Sequence, residues 1–190
     1  MPRSISRLDR RRFLMRGGAA IAAATALAGL PFALRKELTK ETSFVFFSSQ
    51  QQETLTALQE HLFPRGPDSP GATDIGATRY LEWAITVPES DPDTRNTIVN
   101  GISRLQDATT ERFDTVLTQL EFMQKEQLLR YLADETRWGR VWLSLVLTYI
   151  FEALLSDPVY GGNPDQVGWQ WLQHQPGFPR PTTDKTYGKL

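Results

Sequence analysis

Apolar residues between positions 50 and 155 recur at helical spacing in successive stretches, each closed by a breaker. Leu55, Leu58 and Leu62 stand at i, i+3 and i+7, which predicts one buried face of a helix beginning near Gln50. Ser48 and Ser49 can cap it, Glu53 is placed to complete a capping box, and Pro64 ends it. Residues 64–72 hold Pro, Gly, Asp and Ser turn signals. A second helix is expected from Thr73 or Asp74 to Val87, stopped by Pro88, with Ile75, Thr78, Leu81, Ala84 and Ile85 inward. After a turn over Pro88–Asp93, a third runs from about Asp93 to Ala108 on Ile98, Ile102 and Leu105. A fourth covers about Glu111–Glu135, with room for a break near Leu120–Phe122. Its apolar positions are Phe113, Val116, Leu117 and Leu120, then Leu128, Leu129 and Leu132, and Glu126 with Arg130 makes a favourable i, i+4 pair.

Trp138–Leu155 is the most apolar part of the body, and Val141–Ile150 has only Ser144 and Thr148 as polar members. It is short for a bilayer crossing, which takes about 20 residues. A helix apolar all round is either the centre of a bundle or lies partly against a partner. Beyond Asp157-Pro158 the helical period is lost. Residues 156–190 hold five Gly and five Pro, so an irregular tail is expected, with a short helix around Pro164–Gln173. Phe44-Val45-Phe46-Phe47 reads as a short strand or as a staple against the core. With no internal repeat and no period-2 run, the predicted class is all-α: a helical bundle followed by an irregular, extended C-terminal arm over 156–190.

The formal net charge of −1 hides an asymmetry. Six Arg and one acid, Asp9, lie in residues 1–28, so +5 there leaves −6 for the rest of the chain. An acidic body argues against nucleic acid as a partner, because phosphate binding needs a cationic face. The arginines also form a motif. Asp9-Arg10-Arg11-Arg12-Phe13-Leu14-Met15 resembles the twin-arginine export signal, with Arg10 and Arg11 as the pair and Phe13-Leu14 intact. Asp9 and Met15 depart from the usual Ser/Thr and Lys. A moderately apolar run, Gly17–Ala28, follows, and Ala26-Leu27-Ala28 offers small residues where a signal peptidase reads. Cleavage is expected after Ala28, with Leu30–Leu34 leaving room for a later cut. The alternatives are a basic amphipathic helix or a retained anchor, since Gly17–Leu34 is near the lower limit for a span. The chain therefore divides into a signal peptide (1–28), a junction (29–47) and a helical small domain (48–190).

Candidate chemistry is sparse. The absence of Cys excludes disulfides, thiol catalysis, Cys-ligated metal clusters and c-type haem attachment. His61 and His174 lie far apart and in no zinc-type pair, and His61 reads as a helix-surface residue. Gly161-Gly162 lacks the Gly-x-Gly-x-x-Gly spacing of a dinucleotide site. No nucleophile elbow is present, and Asp134-Glu135 reads as a solvated helix end. No residue is nominated as catalytic, cofactor-binding or metal-binding. An aromatic pocket between Trp138, Trp142, Tyr149 and the Trp169 segment would fit the alternative of a free-standing periplasmic helical ligand-binding protein or enzyme.

The most specific string is Asp157-Pro158-Val159-Tyr160-Gly161-Gly162-Asn163-Pro164-Asp165-Gln166-Val167-Gly168-Trp169, continued by Pro176-Gly177-Phe178-Pro179. It resembles the C-terminal signature of the gluconate 2-dehydrogenase subunit 3 family. Leu62-Phe63-Pro64, Ser69-Pro70-Gly71-Ala72 and Tyr80-Leu81 look like that family's first two helices and their loop. The resemblance implies a non-catalytic small subunit of a membrane-associated sugar or polyol dehydrogenase. No cofactor is implied in this chain. FAD would sit in a large flavoprotein partner, and often haem c in a membrane cytochrome c subunit. The small subunit would assist maturation of the flavoprotein and its co-export through the twin-arginine translocase to the periplasm, at the membrane through its complex. The residues themselves agree with a structural role. Gly161-Gly162 allows positive φ, Asn163 can set a turn, and Pro164 can open a short helix. Tyr160, Gly161, Gly162, Asn163 and Trp169 are the expected partner interface, with Trp169 as a plug of its own bundle the alternative.

Overall fold

The computed structural model describes residues 46–187. The expected signal with Arg10, Arg11, Phe13 and Leu14, the junction through Val45, and Phe44 and Val45 of the aromatic run lie outside the described residues. Among the described residues there are six α-helices and no strand, as the all-α reading requires.

Helix α1 (Ser49–Leu62) is capped by Ser48, whose hydroxyl accepts the Gln51 N–H at 3.3 Å while the Gln51 side chain accepts the Ser48 N–H at 2.9 Å. The box is closed by Gln51 and not by Glu53, because only the third helical position can reach back to the cap. Of the aromatic run, Phe47 acts as a staple against the core while Phe46 is exposed. Phe47 is buried, and its N–H donates to the Glu82 carboxylate on the next helix at 3.0 Å. Helix α2 (Ala77–Thr86) begins later than the sequence suggests. Asp74 looks like a cap, but its carboxylate is taken by the Gly71 N–H at 2.8 Å and by Arg65, so residues 72–76 form a turn. Ile75 is buried from that turn rather than from a helical stripe.

Helix α3 (Pro92–Phe113) is capped by Asp91, which accepts the N–H groups of Asp93 and Thr94. It runs past Ala108 because Thr109 and Thr110 satisfy their hydroxyls on carbonyls one turn back and need no break. It stops at Asp114, whose φ of +52° ends the helical path. Glu111 thus belongs to α3. A 3₁₀ turn, Leu117–Gln119, leads to α4 (Phe122–Glu135), so the suspected break is a full helix boundary.

Helix α5 (Arg137–Leu155) is the centre of the bundle and touches α1, α2, α3, α4 and the short α6 (Val167–Leu172). By length (19 residues) and mean hydropathy (1.3) it would pass for a membrane span. Trp142, Val146, Ile150 and Ala153 are buried among its neighbours instead. It is not covered all round. Arg140, Val141, Ser144, Thr148, Phe151, Glu152 and Leu155 make one outward stripe at helical spacing. Gly101 on α3 lets α5 approach closely: a Cβ there would sit 2.0 Å from the Trp142 indole nitrogen, which donates to the Ile98 carbonyl at 3.2 Å.

His61 is not a surface residue. Its side chain is 6% exposed, lies 4.7 Å from the Phe122 ring, and meets the Glu126 carboxylate at 3.1 Å, tying α1 to α4. Glu126 also takes Arg130 at 2.7 Å, as its i, i+4 spacing predicts. The bonds from His61 and then Arg130 hold its carboxyl below the ordinary glutamate value.

Two outcomes follow from this packing. Gly101→Ala should lower stability by about 2 kcal/mol in denaturant melts: overpacking costs up to about 3 kcal/mol, against about 1 kcal/mol gained in helix propensity. Gly177→Ala, with nothing within 4 Å of the new methyl, should be neutral. Because the folded Glu126 titrates below the unfolded one, its stabilisation is present above the ordinary glutamate value and is lost as pH falls through the folded value. Melting temperatures of Glu126→Gln and the parent should therefore differ near neutral pH and converge in acid.

Candidate functional site

The signature segment begins where α5 ends. Asp157 accepts the Val159 N–H at 3.2 Å and so caps a 3₁₀ turn, Pro158–Tyr160, with Pro at its first position. Gly161 reverses the chain at φ +93°, and its carbonyl accepts Arg79 Nε of α2 at 2.6 Å. Gly162 is needed for a different reason: a Cβ would stand 2.8 Å from the Ala153 carbonyl oxygen. Asn163 then enters the interior with 0% exposure. Its N–H donates to the Ile75 carbonyl at 2.7 Å, its side-chain amide donates to the Ser156 carbonyl at 3.1 Å, and its amide oxygen accepts the Gly168 N–H at 2.7 Å. Pro164–Gln166 forms another 3₁₀ turn, in which Asp165 and Gln166 have φ of +54° and +62°, before α6 begins. Trp169, 4% exposed, donates its indole N–H to the Leu155 carbonyl at 2.9 Å, satisfying an acceptor freed at the end of α5. The arm returns to the same place. Arg180 pairs with Asp157 at 2.8 Å and lies 5.2 Å over the Trp169 ring, and the Tyr187 N–H donates to the Tyr160 hydroxyl at 3.2 Å.

Beside this knot is a groove of about 840 Å³ between α2, the start of α3, the outward stripe of α5 and the Pro158–Tyr160 turn. Its wall is a run of rings: Tyr160 lies 4.8 Å from Trp83, and Trp83 5.5 Å from Tyr80. The Tyr80 hydroxyl donates to Glu152 at 3.3 Å. Burial, and then the Glu152 charge, push the Tyr80 phenol far above its usual value, so it remains a donor. Tyr149 is raised for the same two reasons. Loss of solvent also raises the Glu152 carboxyl, with the Tyr80 bond working against the rise.

The model of the gluconate 2-dehydrogenase subunit 3 family matches residues 49–177, from the first residue of α1 into the arm. The chain belongs to that family. As a subunit 3, it has a dehydrogenase complex as its implied partner. No curated protein and no solved structure matches this subunit 3.

The structure brings the five residues singled out for subunit 3 into one knot but faces them differently. Gly162, Asn163 and Trp169 are buried, Gly161 is half-buried under Arg79, and Tyr160 gives its ring to the groove. Trp138, Trp142, Tyr149 and Trp169 form no common pocket. Trp138 stacks 6.3 Å from Trp142 and lies under Arg104, Tyr149 faces the groove, and Trp169 plugs the end of α5. Gly161-Gly162 does not fit a dinucleotide pyrophosphate, because the pair is closed against Arg79 and Ala153 and leaves no open backbone cradle. Among the described residues no group of three or more His, Asp or Glu could hold a metal ion. Sequence reasoning missed Trp83 and Glu152. Tyr80 with Trp83, and Tyr149 with Glu152, each stand at i, i+3, but nothing local says that the two faces meet.

Asn163→Ala should cost about 3 kcal/mol, since it leaves a buried donor and a buried acceptor unmet at roughly 1–3 kcal/mol each. Trp169→Ala should cost about 3–5 kcal/mol. Equilibrium unfolding in urea measures both, and losses under 1 kcal/mol would deny the knot its structural role.

Proposed function

We propose that this subunit 3 is the non-catalytic small subunit of an exported FAD-dependent sugar or polyol dehydrogenase, which it helps to mature and carries through the twin-arginine translocase. The family match over residues 49–177 carries the reading, because it spans the whole bundle and the signature together. The Arg10-Arg11-x-Phe13-Leu14 leader adds a route, and that route moves folded proteins. Exposed apolar side chains add a reason for a partner. Phe122, Met123, Phe151, Leu155, Trp171 and Leu172 all stand in solvent in the isolated chain. FAD belongs to the large subunit, haem c to a cytochrome subunit where one is present, and the complex works on the periplasmic side of the membrane.

Changing Arg10 and Arg11 together to Lys should strand both this chain and the flavoprotein in the cytoplasm, as read by immunoblots of periplasmic and cytoplasmic fractions. A flavoprotein that still reaches the periplasm would refute the carrier role. Purified alone, the chain should show no visible absorbance and no dehydrogenase turnover. A solitary, catalytically competent polypeptide would overturn the reading altogether.

A further inference from the structure

The groove beside the signature has a chemical character that small-subunit membership does not specify. Its wall carries the rings of Tyr80, Trp83, Tyr149 and Tyr160, and the charged residues that line it, among those described, are all acidic: Glu89, Asp91, Glu152 and Asp157. Among the described residues no Lys or Arg lines it. Asp157 is neutralised by Arg180, but Glu89, Asp91 and Glu152 form no ion pair among the described residues. Glu152 is the most telling of these. Its carboxyl is raised by partial removal from water, a penalty that a cation placed beside it would relieve. Aromatic faces next to unpaired carboxylates attract a cation twice, through the ring quadrupole and through charge.

The groove's shape selects the kind of cation. It runs on into a second hollow of about 920 Å³, which shares Leu155, Asp157, Tyr160 and Tyr187 with the first. Two joined hollows suit an extended chain better than one small ligand. Arg180 and Lys185 enter only in the second, so the groove has a negative end and a mixed end, and a chain lying in it has a preferred direction. The rim is apolar and open: Phe151 and Leu155 are each about half exposed, and Phe151 continues through Phe63 to Trp171. A planar guanidinium can stack flat on Trp83 or Tyr160 while its edge donates to Glu152, a two-sided fit that the point charge of an ammonium lacks.

We propose that this groove is the docking site for an extended, arginine-bearing segment of the flavoprotein, with the guanidinium seated between the Trp83–Tyr160 wall and Glu152. This rests on the small-subunit reading above. The family implies that a partner exists; charge, rings and shape assign where it docks and what chemistry it presents.

The test uses the full chain co-purified with its flavoprotein. Glu152→Gln keeps an acceptor for Tyr80 but removes the charge, and Glu89→Lys reverses the rim. The double variant should bind about tenfold more weakly, with a flatter salt dependence and a melting temperature no lower than the parent's. Glu111→Lys, roughly 30 Å along α3 at 1.5 Å per residue, should bind as the parent does. Because the chain lacks Cys, Thr148→Cys in the groove can carry a single photo-cross-linker. Its product should map to a flavoprotein peptide containing Arg. A parent complex that forms normally, with the double variant within twofold of it, would overturn the docking site and leave the small-subunit reading intact. Cross-links to a second copy of this chain, or to a flavoprotein segment without Arg, would also overturn it. Failure of the parent to form any complex would refute both readings.

Discussion

Asn163 ties the turn before α2, 88 residues away, to both ends of the segment between α5 and α6. From one buried position it takes the Ile75 carbonyl of the turn before α2, the Ser156 carbonyl after α5 and the Gly168 N–H at the start of α6. Its backbone N–H makes the first of these bonds, and its side-chain amide, which donates on one side and accepts on the other, makes the other two. Inside the protein such bonds are strong when complete and costly when broken. The turn bearing Tyr160, the plug formed by Trp169 and the return of the arm to Asp157 all follow from where this side chain sits. The left-handed backbone at Asn163, Asp165 and Gln166 is tolerated because the contacts on either side over-determine it.

The signature therefore works inward. Its conspicuous residues are occupied in closing the bottom of the bundle, and the surface they create is formed largely by other residues. Arg79 reaches from α2 to the Gly161 carbonyl, so the turn is tied to α2. That holds the Tyr160 ring against Trp83 without any direct bond between those two side chains. The knot and the groove are thus linked: a fault in the first would open the second.

The helices were largely legible because their period is local. Leu55 and Leu58, Ile98 and Ile102, and Leu128 and Leu132 all face the core as their spacing suggests. Boundaries were less so. Asp74 has the chemistry of a helix cap, yet its carboxylate bonds backwards to Gly71, which no pattern in the forward direction reveals. His61 stands in a leucine-rich stretch, but its partner Glu126 is 65 residues away. The groove was hidden for the same reason. Tyr80 and Glu152 are 72 residues apart, and only the packing of α2 on α5 makes them neighbours. The outward stripe of α5 was obscured by its hydropathy, because Val141, Phe151 and Leu155 are as apolar as the residues they cover.

The placement of the indoles gives the molecule an internal optical gauge. Trp142 and Trp169 are sealed and hydrogen-bonded to carbonyls, so their emission tracks the integrity of the bundle. Trp83 lies on the groove wall and Trp171 on the exposed apolar surface, both in reach of water. Docking in the groove and unfolding would thus move the emission in opposite directions: covering Trp83 shifts light to the blue, while releasing Trp142 and Trp169 shifts it to the red.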